Sequence, residues 1–236
     1  MGFGFYYFDY TYFIYIVPAL IVTMIAQFRV KSTFKKYSRI ATAKNMTGAQ
    51  AALSVAQFGG VAGVQVQRIA GNLTDNFDPR NNTISLSEDV YASSTIAAVG
   101  VAAHEAGHAI QNAKGYFPNK IRSILVPVTN FGSKLAIPMV IIGLILPVQY
   151  DFVVTIGIAL YSFAVLFQLV TLPVEFDASF RAIKVLDEAG ILYPDELEGA
   201  KSVLKAAAMT YLAASFTAIM TLLRLLAIAN GRRGRD

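Results

Sequence analysis

Two histidines four residues apart, with a glutamate directly after the first, stand at His104-Glu105-Ala106-Gly107-His108. On an α-helix that spacing points both imidazoles the same way one turn apart, so two nitrogens can close on one tetrahedral Zn²⁺ at about 2.0–2.1 Å. Glu105 lies about 100° round the helix from His104, beside the metal and within reach of its water instead of the ion, which is the position of a general base. The chain contains no other histidine. The bland alternative is a buried structural histidine pair. Ala106 and Gly107 argue against it, because small residues there leave room for a metal and for a close neighbouring element.

A hydrolytic zinc keeps three protein ligands and one open position for water. With no cysteine and no third histidine, the remaining ligand has to be a carboxylate. Glu175 is the leading candidate: it lies at a helix junction between membrane and cytoplasm and is the first acid after an apolar hairpin. Asp177 competes with it, and about 200° of helical rotation separates the two, so one metal would not take both. The other reading of Glu175 is a charge that only marks the end of a span.

These residues must be carried by the helices of a membrane protein. Of 236 residues, 55% are hydrophobic and 15% charged, and charge-free runs reach the roughly 20 residues that span a bilayer. The expected fold is mainly α, one metallopeptidase domain over 1–236. Its four transmembrane helices are expected at 5–28, 123–148, 152–174 and 206–229, with a zincin-like soluble part at 29–122. The first run has no basic residue before Arg29 and reads as an uncleaved span. Arg29, Lys31, Lys35, Lys36, Arg39 and Lys44 follow it, a juxtamembrane cluster that the positive-inside rule puts in the cytoplasm. The basic tail 231–236 would then lie outside, against that rule, but eleven Lys and Arg between the first two spans outweigh it. The net charge of +5 is therefore topological and does not imply nucleic acid.

Within the soluble part, Thr47-Gly48-Ala49-Gln50 has capping-box spacing and Gly59-Gly60 a stop. Residues 63–69 alternate like a half-buried strand, 78–82 read as a turn, and 83–87 as a second strand. This small hairpin or sheet offers an edge on which an extended peptide could be laid across the zinc. Ser93 or Ser94 is expected to cap the metal helix, about 95–114, which Lys114-Gly115 and Pro118 end. Pro127, Asn130, Lys134 and Pro138 make the second span irregular, with its true start near Leu135. Residues 175–205 form the third-ligand helix, stopped by Gly190, and a connector restarting at Pro194. An even number of crossings separates His104 from Glu175, so both can sit on one face.

Four blocks recur together in order: 73–79 (Leu-Thr-Asp-Asn-Phe-Asp-Pro), 85–91 (Ser-Leu-Ser-Glu-Asp-Val-Tyr), 104–111 (His-Glu-Ala-Gly-His-Ala-Ile-Gln) and 172–179 (Leu-Pro-Val-Glu-Phe-Asp-Ala-Ser). In these the chain resembles the YugP-type neutral zinc metallopeptidases, integral membrane proteins of bacteria, along nearly its whole length. The resemblance implies a gluzincin-like site with one Zn²⁺: His104 and His108 as ligands, Glu105 as catalytic acid and base, and Glu175 as third ligand. Two positions depart from the pattern. Gluzincins often carry an aspartate four residues after the ligand glutamate, where this chain has Ser179, and Asn76 stands where the family leads us to expect a histidine. Ser179 and Asp177 are candidates to support the ligands by hydrogen bonds from behind, and Arg181 and Tyr211 to stabilise an oxyanion.

The expected function is a membrane-embedded zinc endopeptidase, acting on peptide or membrane-protein substrates at the cytoplasmic side of the cell membrane. Its rival is a non-catalytic scaffold or chaperone-like protein whose zinc is closed by four protein ligands, with Asp177 or Asp78 as the fourth. A zinc transporter would need ionisable residues inside several spans, and apart from Lys134 and Arg224 these are nearly absent.

Overall fold

A computed structural model describes residues 10–233. The protein is a mainly helical, multi-pass membrane protein with a small three-stranded sheet. The order is a π-helical turn Tyr12–Ile16, α1 (Val17–Tyr37), α2 (Gly48–Phe58), β1 (Gln65–Ile69), β2 (Asn76–Asp78), β3 (Thr83–Ser87), α3 (Glu88–Tyr91), α4 (Ile96–Ala113), α5 (Phe117–Ile145), a 3₁₀ turn Val148–Tyr150, α6 (Phe152–Glu188) and α7 (Pro194–Arg233). Among the described residues, four helical stretches are long and apolar enough to cross a membrane: Tyr12–Tyr37, Phe117–Ile145, Val148–Glu188 and Pro194–Arg232. The expected span start at 5–9 and the tail beyond 233 lie outside the described residues.

The chain divides into two compact units. The first takes residues up to Ile25, Arg122–Val170 and those from Leu212 on. Among the described residues its regular elements are helical, and small residues set their spacing. A Cβ at Gly157 would stand 2.9 Å from the Ala136 carbonyl oxygen, and one at Gly143 2.8 Å from the backbone nitrogen of Val154. Close backbone approach of this kind is how helices pack where lipid removes the hydrophobic drive between them. Large side chains such as Phe131, Ile141 and Leu166 are exposed, as a lipid-facing surface requires.

The second unit, Ala26–Ile121 with Thr171–Tyr211, is built round α4. Ten alanines, five of them on α4, pack without bulk, so Val55, Leu86, Val99, Ile110 and Leu186 close a single core against that helix. Thr47 and Gln50 form the capping box of α2, and Gly59 is its C-cap. The cap of α4 is Thr95, whose side chain accepts the Ala98 N–H, and not Ser93 or Ser94. Those serines are used otherwise: their carbonyls accept the N–H groups of Gly48 and Thr42, tying the preceding loop to the helix start.

Strand pairing also differs from a simple hairpin of the two expected strands. β1 and β3 run parallel in the order β1-β3-β2, and the hairpin is made by β3 with β2, a strand too short to stand out in the sequence. β3 is buried throughout, as befits the central strand. The irregularity expected of the second span before Leu135 is absent: α5 is continuous through Pro127 and Pro138, starting at Phe117. Likewise no separate segment begins at residue 175. α6 continues through Pro173 to Glu188. The restart at Pro194 is as expected, and α7 runs from there into the last span. Proline is tolerated inside membrane helices because neighbouring groups can re-satisfy the freed carbonyls, so its presence here does not end the element.

Candidate metal centre

α4 presents His104 and His108 with ring centroids 4.7 Å apart. α6 crosses it where Gly107 meets Ala178: a Cβ at position 107 would lie 2.4 Å from the Ala178 carbonyl oxygen. Only glycine permits that approach, and the approach delivers Glu175, one helical turn from Ala178, to the imidazoles. Glu175 Oε2 is 3.2 Å from His104 Nε2 and 3.5 Å from His108 Nε2, with the carboxylate 2% exposed. Together the three side chains form a group that could hold a metal ion, their donor atoms all within 4.8 Å of one another.

The opposite ring nitrogens are both engaged. His104 Nδ1 faces Ser179 Oγ at 3.1 Å, and His108 Nδ1 faces Gln111 Oε1 at 3.1 Å. Gln111 fixes the second assignment, since its Nε2 donates to the Val174 carbonyl at 2.7 Å and to Asp177 at 2.8 Å. Its Oε1 must then accept, so His108 carries its proton on Nδ1. The Nε2 lone pair of His108 is therefore aimed toward the Glu175 oxygen, and when His104 donates its Nδ1–H to the Ser179 hydroxyl oxygen its own Nε2 lone pair is aimed there too. Three acceptors converging this way repel unless a cation stands among them. Ligands about 2.0–2.1 Å from a tetrahedral zinc lie ~3.3–3.4 Å apart, bracketed by the two separations observed between nitrogen and oxygen. The donor set therefore fits Zn²⁺.

Glu105 is 8% exposed on the adjoining face of α4. Burial pushes its carboxyl above the ordinary carboxylate range; the two imidazoles pull it down, and Glu175 and Asp75 add to the rise. Asp75, which just precedes β2, accepts hydrogen bonds from the Ser87 N–H at 2.8 Å and from the Ser87 hydroxyl.

The remaining candidates separate clearly. Ser179 stands behind His104. Asp177 turns away from the imidazoles to accept from Gln111 and from Arg181 Nε at 2.6 Å, and Arg181 in turn lies 5.5 Å over the Tyr116 ring. Asp78 is paired with Arg80 on the surface. Asn76 is an exposed β2 residue whose amide donates to the Thr74 carbonyl. Tyr211 is partly buried on α7. Gln111 was not among the candidates read from the sequence. Its place three residues after His108, on the same helical face, was the available signal.

The family described as "Putative neutral zinc metallopeptidase" matches residues 12–230. The chain is 41% identical over 217 residues to the "Putative membrane protease YugP" of Bacillus subtilis (strain 168), an alignment covering 92% of this chain and 96% of that protein. No solved structure matches it.

Proposed function

The chain belongs to the neutral zinc metallopeptidase family, and on that premise we propose that it is a membrane endopeptidase in which His104, His108 and Glu175 hold one Zn²⁺ and Glu105 is the general acid and base. The observation that carries this reading is the convergence of two Nε2 atoms on one buried carboxylate oxygen, with each Nδ1 occupied from behind. Zn²⁺ at that point would supply a water of lowered pKa and polarise a scissile carbonyl. Glu105 takes the proton of the attacking water and passes it to the leaving amine, a role suited to a carboxyl that burial holds above the ordinary carboxylate range. No covalent link between enzyme and substrate is needed.

Three protein donors, with Asp177 and Asp78 engaged elsewhere, support a hydrolytic site over a closed structural one. β2 is an edge strand running beside α4, and Asp75 at its start acts electrostatically on Glu105. An extended peptide pairing with that edge is delivered along the metal helix. The site faces the cytoplasm of a cell-membrane protein, on the strength of the basic residues between the first two spans.

The test is metal analysis together with cleavage of an unstructured reporter by full-length protein in detergent. Wild type binds one zinc and cleaves; Glu105→Gln keeps the zinc and loses at least about a hundredfold in rate, as loss of a general base does. His104→Ala loses the metal. Undiminished cleavage by the Gln variant would falsify the assignment.

A further inference from the structure

Within the second unit a cleft of about 320 Å³ opens between α1 and α7, lined by Arg29, Thr33, Ser202, Lys205, Ala206 and Met209. We propose that it binds the phosphate-bearing headgroup of an anionic phospholipid. Arg29 and Lys205 are exposed, and neither has an ion-pair partner among the described residues, whereas nearby Lys201 is paired with Glu198 at 2.6 Å. The lining contains no carboxylate to repel an anion. A guanidinium and an ammonium together offer a fork and a point charge to phosphate oxygens, and Thr33 adds a hydroxyl. Ser202 spends its own hydroxyl proton on the Glu198 carbonyl at 2.9 Å.

The positions of the two cations along their helices identify the source of the phosphate. Arg29 ends a charge-free stretch that covers 10–28, and Lys205 precedes another that covers 206–223. Each stretch is roughly 27 Å of helix, close to the ~30 Å hydrocarbon thickness of a bilayer. Both cations therefore stand where apolar helix gives way to headgroups, and they line one cleft. Ala206, buried, and Met209, partly buried, give that cleft an apolar wall on which the glycerol and upper acyl chain can lie. A free phosphate ion would gain nothing from that wall.

The experiment titrates full-length protein in zwitterionic detergent with phosphatidylglycerol, counting adducts by native mass spectrometry and following Tm. One lipid binds per chain and raises Tm. Arg29→Gln/Lys205→Gln weakens binding roughly thirtyfold, and each single variant about fivefold, the effect expected of a cation beside an anionic headgroup. Lys31→Gln/Lys35→Gln removes the same charge from exposed sites on the same helix and leaves binding within about twofold. Equal loss in that control, or equal binding of phosphatidylcholine, overturns the proposal. So does inorganic phosphate that displaces the lipid at millimolar concentration, which would mark a free-anion site. None of these readings depends on peptidase activity.

Discussion

Glu105 is held almost out of solvent beside two imidazoles, and its carboxyl is lifted by burial above the value it has in an unfolded chain. Between the unfolded value, about 4.3, and the raised folded one, the folded chain binds the extra proton; stability therefore falls as pH rises through that window, and the cost is fully present above it. The residue proposed for catalysis is thus one that strains the fold at neutral pH. In metal-free protein, Glu105→Gln is expected to have a higher Tm than wild type at pH 8 and the same Tm near pH 4. Thermal unfolding in chelator checks this, and a lower Tm for the variant at pH 8 contradicts it. Gln111 acts on the ligand instead of on the water. Gln111→Leu keeps roughly the volume but strands the His108 Nδ1–H and removes a donor from Asp177. Zinc affinity should fall about ten- to a hundredfold, the range typical of losing a supporting hydrogen bond, as read by competition with a chelating dye.

At the scale of elements, the site is the crossing of α4 and α6. Gly107 is the residue that sets their separation, because its missing Cβ is replaced by the Ala178 backbone. Gly107→Ala is expected to push the helices apart, costing about 1–3 kcal/mol of stability as overpacking does. It should also weaken zinc binding, although position 107 offers no ligand. Calorimetry or Tm with a zinc titration would separate these effects, and unchanged zinc affinity would show that the crossing does not control Glu175. The continuity of α6 through Pro173 matters for the same reason: Glu175, Asp177 and Ser179 lie on one rigid helix, so Ser179 reaches His104 while Asp177 is turned toward Gln111 and Arg181.

For the whole molecule, the absence of cysteine gives a clean background for mapping topology. With the basic cluster inside, the short link around Gln149 lies outside. On intact cells a membrane-impermeant maleimide should label Gln149→Cys, and should label Lys36→Cys only after permeabilisation. The reverse pattern would turn the metal residues to the other side of the membrane without altering their chemistry. The four apolar helices make the protein integral to the membrane whichever way it faces.

By itself the sequence determined what depends on local rules: the paired imidazoles on one helical face, the lack of any thiolate ligand, the α2 capping box, and four apolar runs of spanning length. Each follows from periodicity, composition or neighbours within a few residues. Only the tertiary structure decided what depends on contacts far apart in the chain. It chose Glu175 over Asp177 for the imidazole pair, since side chains two residues apart on a helix differ by rotation and the crossing at Gly107 turns Glu175 to the histidines and Asp177 to Gln111. It gave Gln111 its role, because the carbonyl and carboxylate that orient its amide come from α6. It also carried helices through Pro127, Pro138 and Pro173, where local propensity predicts a break and packed surroundings can satisfy the backbone instead.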